Sequence, residues 1–570
     1  MRAADLRPGR SPRRPTDRSG DEVITFGQSL GDPIARSVLT GSDKPAMGVI
    51  ASHFARFSAR RSTLGLLLPT VFVLVNAIAF SLLRPGVPDL WAARARASAA
   101  AHGVGLTYWF SWFDGVTPGD YSVMTPYLCA RLGTELVAGI SAVVIGALTT
   151  MLVRDTRHPV AAASVAALCL AINLWCGRVP FLTGTAFAVA ALAFVQRRRK
   201  LPVAALTVLS VLASPVSGLF VGLGLSGLLL APRMRDYRLT ALVAVASAGG
   251  TLIGLAVIFG VPGPEPYPLY LVGEIVLAIG LMASSTPSDH LRITLTIAAA
   301  AALVTLTFPN GLGANIARLA LFCLPPAAVA LSRRRARTLA VVMAPVLVFS
   351  GLSSVSALVS ATGPTSSASY YAPLASELDR LPSAIHYRLE LVHADHAAYT
   401  VLLGHAVLAR GWETQEDHAR NGVLRSSTLD TRSYRAWLDD NAVGYVALAV
   451  PSSSAPEVRA VAAARADYLR EIWSSAHWKL YKVRHATPIV AEPAVLESST
   501  QSAMTVQVPC ACQISVRVRW SRFLAVSPEL SPGTSDAVED SYQPALAQGR
   551  SGWTRLTTNR AGTYVLNGSA

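Results

Sequence analysis

The hydrophobic pattern along this chain changes character twice. Up to about residue 60 it is rich in Arg, Pro, Ser, Asp and Gly without apolar periodicity, which predicts a disordered arm, 1–60. Apolar blocks then follow one another to about residue 359. They fall at 64–83, 132–153, 159–175, 180–196, 201–213, 216–231, 239–260, 268–284, 292–308, 316–332 and 338–359. A helix rises 1.5 Å per residue and a hydrocarbon core is roughly 30 Å thick, so blocks of about 20 residues predict membrane crossings. The pair at 201–231 is short for two crossings and is interrupted at Ser214 and Pro215, so it reads either as two spans or as a hairpin that enters the bilayer only in part.

Beyond 360 the pattern becomes that of a folded soluble domain. Strands are expected near 386–392, 445–450 and 478–483, a capped helix after Asp430, and a second helix over 456–473. Alternating segments at 504–508 and 514–520 predict a small β-rich unit. The expected organisation is an arm, 1–60; a bundle of about eleven transmembrane helices, 61–359, with a long first loop, 84–131; an α/β domain, 360–497; and a β-rich unit, 498–570.

Charge adds orientation. Only 15% of residues are charged and the mean hydropathy is +0.41, too few charges to cover a soluble protein of 570 residues. The net charge of +16 lies largely in clusters between alternate apolar blocks: Arg154 with Arg157, residues 197–200, Arg233 with Arg235 and Arg238, Arg292, and residues 333–337. That alternation is the positive-inside signal. It predicts a multi-pass plasma-membrane protein with its N-terminus in the cytoplasm and its C-terminal domain outside. Nucleic acid is not an expected partner, because the basic residues are not gathered on one soluble face. Arg13 and Arg14 make no twin-arginine signal, since no apolar block follows before Leu64. Cys510 and Cys512 are open to either a reduced or a bonded reading.

The candidate chemistry is polar and aromatic. The first loop holds Tyr108, Trp109, Trp112 and Tyr121 among Asp114 and Asp120. Aromatics at this depth form either an interfacial belt or a sugar-stacking surface, with Asp114 or Asp120 as general base on an acceptor hydroxyl. Arg178 follows the third block, and Asn315 and Arg318, spaced i,i+3, share a helical face. Such arginines either snorkel to headgroups or grip a phosphate. His393, Asp395, His396 and His405 match no metal-ligand spacing; any cofactor, a divalent metal included, lacks a clear ligand set. No P-loop or nucleophile elbow is present.

The segments PGDYSVMTPYL (118–128), GRVPFLTG (177–184), SPVSGLF (214–220), GANIARL (313–319) and ARGWETQ (409–415), in that order, resemble actinobacterial polytopic integral membrane proteins related to the GT-C superfamily of glycosyltransferases. The resemblance covers about 64–485. It implies a GT-C-like bundle with an outward-facing site, a polyprenyl-phosphate sugar as donor, an envelope glycan or glycolipid as acceptor, and a catalytic carboxylate in the first outer loop, here Asp114 or Asp120. Tyr108, Trp109, Trp112 and Tyr121 would then bind substrate, and Arg178, Asn315 and Arg318 the donor phosphate. The rival expectations are a transporter or lipid flippase, whose halves commonly repeat with matching broken helices, and a non-catalytic envelope scaffold.

Overall fold

Every apolar block forms a helix in the computed structural model, which describes residues 65–392, 396–450, 455–465, 467–529 and 544–569. The expected N-terminal arm, together with His393 and Asp395, lies outside those residues. The first block is α1 (Gly65–Leu83). Two helices of the following loop are α2 (Pro88–Ala101) and α3 (Thr125–Leu132). The bundle continues with α4 (Thr134–Val153), α5 (Pro159–Trp175), α6 (Val179–Gln196), α7 (Lys200–Ala213), α8 (Pro215–Leu230), α9 (Arg238–Phe259), α10 (Leu269–Ser285) and α11 (Asp289–Thr307). It closes with an irregular segment, Gly313–Ala330, that ends in α12 (Leu324–Ala330), and with α13 (Ala336–Ser360).

Among the described residues seven helical segments are long and apolar enough to cross a membrane, and α5, α7, α8 and α10 are shorter apolar helices. Leu67, Leu68, Leu82 and Val341 stand exposed on their surfaces. Contiguous apolar surface of that kind is stable against lipid and not against water. The protein is a polytopic helical membrane protein.

The two ends of the bundle differ in chemistry. At one end the basic connections are tied together: Arg157 and His158 bond the carbonyls of Arg333 and Arg334, Arg334 bonds that of Ser284, and Arg198–Asp236 and Arg233–Asp289 are ion pairs. The opposite connections carry the folded domain. The basic connections named here thus lie together at one end.

After α14 (Ala368–Leu378), a five-stranded sheet has the order β2-β1-β3-β5-β4, built from β1 (Arg388–Val392), β2 (Val407–Leu408), β3 (Val443–Ala449), β4 (Leu469–Ser474) and β5 (Trp478–Val483). β1 runs parallel to β2 and β3; β5 is antiparallel to β3 and β4. Between β2 and β3 come α15 (Thr414–Asn421) and α16 (Thr431–Asp440). Asp430 and Ser433 form a capping box that starts α16, which buries Tyr434, Trp437 and Leu438 as its pattern predicts.

The helix expected over 456–473 stops early. α17 covers Pro456–Ala464, and the chain turns to enter β4. Apolar residues at 468, 469, 472 and 473 suit a helix as well as a strand; pairing with β5 decides for the strand.

The C-terminal strands β6 (Val495–Ser499), β7 (Ala503–Val508), β8 (Gln513–Arg519), β9 (Leu524–Pro528), β10 (Ala545–Gln548), β11 (Trp553–Thr557) and β12 (Gly562–Gly568) form two sheets, β6-β7-β12-β9 and β10-β11-β8. Cys510 and Cys512 are joined as a disulfide between β7 and β8. Their core includes Tyr108 and Phe110 of the first loop, so this unit is packed onto the loop rather than hung from the end of the chain.

Candidate functional site

Four segments meet at the domain end of the bundle. The first loop reaches α7 through Ser122 and Thr125, whose hydroxyls donate to the Ala213 carbonyl at 2.8 and 3.0 Å, and through the Val123 amide, which donates to Leu212 at 2.9 Å. The last carbonyls of a helix have no partner of their own, so this clamp satisfies the end of α7 and fixes the short 3₁₀ turn Pro118–Asp120. Beside it, α7 and α8 break at Ser214 and Pro215.

Arg178 is positioned by the turn between α5 and α6. Gly177 has φ +75°, and a Cβ there would lie 2.8 Å from the backbone nitrogen of Leu90. Only glycine permits both that dihedral and that approach to α2. Asn315 and Arg318 sit where the Gly313–Ala330 segment is irregular: a 3₁₀ turn, Gly313–Ile316, precedes Arg318 and a π-helical turn, Leu319–Cys323, follows it. π-turns inside helices recur at functional sites because they displace a side chain from the regular spiral.

These segments enclose a cavity of about 350 Å³. Its wall brings together Asp120, Tyr121, Arg178, Asn315 and Arg318, five of the nine expected site residues. The structure adds four charged residues that sequence reasoning missed: Asp89, Arg96, Glu265 and Glu413. Arg178 faces Asp89 at 3.6 Å, while its Nε and Nη1 are buried without a hydrogen-bond partner among the described residues. Arg318 stacks over the ring of Phe181 at 5.3 Å. Arg96 pairs with Glu413 and lies 3.8 Å from the centre of the Tyr121 ring.

Burial pushes the Asp120 carboxyl well above the usual range, and the charges of Glu413 and Glu416 raise it further against the pull of Arg96 and Arg420. Glu265, in the connection between α9 and α10, is pushed up to about 7, chiefly by burial. A carboxylate so poised is suited to accept a proton near neutrality.

Asp114 lies elsewhere. Its carboxylate is buried in an ion pair with Arg388 at 2.9 Å, with Arg519 at 3.8 Å, inside the contact between the first loop and the C-terminal strands. Burial raises its carboxyl more than the two arginines lower it. Phe113, Asp114 and Gly115 all have positive φ, a turn held by Arg420, which donates to the carbonyls of Phe113 and Gly115.

Tyr108, Trp109 and Trp112 are almost wholly buried and line no part of this cavity. Trp109 and Trp112 stack at 4.4 Å; Trp109 donates to Gln501, and the Tyr108 hydroxyl to the Arg519 carbonyl at 2.6 Å. Gly411 packs directly on Trp112. These aromatics join the loop to the domain, so they form neither a belt in the headgroups nor a surface for sugars.

No protein-family model matches the chain, and no curated protein matches it. The site therefore rests on its own geometry. Two of the missed residues carried a signal: Glu265 is the one charged residue of the connection from Pro262 to Pro268, and Glu413 lies inside the segment ARGWETQ.

Proposed function

We propose that this protein is a glycosyltransferase-like enzyme of the plasma membrane that uses a polyprenyl-phosphate sugar at the outer face, in assembly of an envelope glycan or glycolipid. In this reading all eleven apolar helices cross the bilayer, the N-terminus is cytoplasmic and the domain end faces outward. One observation carries it: Arg178, whose buried Nη1 has no hydrogen-bond acceptor among the described residues, and the guanidinium of Arg318 border the same cavity as Asp120. A buried guanidinium N–H left without an acceptor suits an anion, and a carboxylate beside it supplies the base that a hydroxyl nucleophile needs.

The reaction divides among these residues. Asp120 takes the proton of an acceptor hydroxyl as its oxygen attacks the anomeric carbon. The bond from that carbon to the phosphate oxygen breaks, and the lipid phosphate leaves with the electron pair. Arg178 and Arg318 neutralise the charge that develops on it, while Asn315 orients the phosphate. Tyr121, held under Arg96, borders the sugar.

Arg178→Ala is expected to raise the KM for the donor at least about tenfold, the cost of a charge-assisted hydrogen bond. The measurement is release of lipid phosphate by the purified protein in nanodiscs, across a panel of polyprenyl-phosphate sugars with envelope extract as acceptor. No release with any donor from folded protein would overturn the proposal.

Glu265 gives a pH dependence. Above a pH of about 7 it carries a negative charge in the cavity that binds the anion. Donor affinity is therefore expected to rise as pH falls through that value. The donor is a phosphodiester and does not itself titrate there, so Glu265→Gln should flatten the profile in a binding titration.

A transport reading draws on one observation: the break at Ser214–Pro215 and the irregular turns around Arg318 border the same cavity, and broken helices of this kind surround transporter sites. Movement of lipid between leaflets without release of phosphate would select it.

A further inference from the structure

The α/β domain contains a second cavity, of about 500 Å³, at the carboxyl ends of β1 and β2. The connection from β1 to β2 packs on one face of the sheet, where Tyr399 and Leu402 join Leu389 and Tyr445. The connection from β2 to β3 packs on the other, where Leu424, Tyr434 and Trp437 join Val392 and Val446. Strands whose connections part to opposite faces leave a crevice beyond their carboxyl ends, which is where open α/β sheets take ligands. The volume lies in the range of ligand pockets, about 300–1,000 Å³.

The wall of this cavity states a chemistry. Tyr399 and Trp412 supply aromatic surface, with ring centres 6.1 Å apart and the planes at 66°. Arg410, Asp417, Arg425 and Glu457 supply hydrogen-bonding groups. Arg410 holds Asp417 through two bonds of 2.8 Å and also reaches Glu390 and Glu457 at 3.1 and 3.4 Å. Arg425 and Asn421 also bond Asp417. The polar groups are thus fixed in place before any ligand arrives.

Both guanidiniums here are already paired, Arg410 with Glu390, Asp417 and Glu457 and Arg425 with Asp417, so neither is open to an anionic ligand. Among the described residues no group of His, Cys, Asp or Glu is arranged to hold a metal ion. An apolar ligand would strand the charges. An uncharged polyhydroxyl compound satisfies every part: its C–H faces pack on the rings, and each hydroxyl both donates to a carboxylate and accepts from a guanidinium.

We infer that this second cavity binds a neutral glycan. Trp412, Glu413 and Thr414 line both cavities, so the two are separated by one stretch of chain. Resting on the function proposed above, the bound glycan is the acceptor, and its free end is passed along that stretch to Asp120.

The test is binding to the full-length protein in nanodiscs, without donor, by saturation-transfer NMR and calorimetry. The probes are cello-, malto-, galacto- and arabino-tetraose. Saturable binding of at least one is expected, weakened at least about tenfold in both Arg425→Ala and Glu457→Gln and unchanged in Arg178→Ala. No saturable binding of any of the four by folded protein, or binding that neither cavity variant weakens, overturns the inference. If glycan binds as expected but no donor is turned over, the enzymatic proposal fails and the glycan site stands. If donor is turned over and neither cavity variant raises the KM for the acceptor, the site fails and the enzyme stands.

Discussion

Asp120→Asn is expected to abolish sugar transfer, with a loss on the order of 10²- to 10⁴-fold in kcat, the usual contribution of a positioned general base, and without loss of fold. Asparagine has the same shape and cannot take the proton. Because burial, Glu413 and Glu416 raise the Asp120 carboxyl, the wild-type rate should fall as pH drops through a limb above the ordinary carboxylate range near 4. The sign follows from the base being active only when deprotonated. Glu413→Gln removes a like charge and frees Arg96 from its ion pair; both changes lower the Asp120 carboxyl, so the limb should move to lower pH. Lipid-phosphate release measured from pH 4 to 9 on the three proteins decides this. An unshifted limb in Glu413→Gln, or full activity in Asp120→Asn, would remove Asp120 from the mechanism.

The other carboxylate of the first loop should behave in the opposite way. Asp114→Leu is expected to destabilise the protein by about 3–5 kcal/mol, the cost of leaving one member of a buried ion pair without its partner. Arg388 is fully buried and remains charged when Asp114 is removed. Its bonds to the carbonyls of Asn441 and Arg517 keep it where it is. The double variant Asp114→Leu with Arg388→Met should regain part of the loss, because well-packed apolar replacements of buried pairs are often neutral. Thermal unfolding in detergent, compared across the two single variants and the double, reads this directly. Equal melting temperatures for wild type and Asp114→Leu would show that the pair contributes nothing.

The membrane part of the fold was readable from the sequence because its physical rule is local. A block of about 20 apolar residues answers to the thickness of hydrocarbon whatever surrounds it, and the basic clusters that predict alternation are found bonded together at one end. Arg178 and Arg318 were readable for a similar reason: a charge at the end of an apolar helix is costly enough to need a purpose. The aromatic loop was not. Tyr108, Trp109 and Trp112 present the same string of residues whether they stack on sugars or on protein, and what decides is Gln501 and Arg519, some 400 residues away. Asp114 and Asp120, six positions apart, diverge for the same cause: one meets Arg388 and Arg519, the other a cavity. Arg96 and Glu413 likewise acquire meaning only from each other.

The dependence of the first loop on distant residues also sets a clock. The Thr107 hydroxyl donates to the carbonyl of Ser569, 462 residues later, and Arg522 donates to the carbonyls of Val257 and Ile258 at the end of α9. At about 5–20 residues per second, roughly 20 to 90 s of synthesis separate the emergence of the loop from that of the strands that bury it. Until those strands are made, Trp109 lacks its bond to Gln501 and Tyr108 its bond to the Arg519 carbonyl. A chain that stops before residue 501 thus holds every residue that lines the first cavity but lacks Gln501, Arg519 and Ser569, which fix the loop beside it.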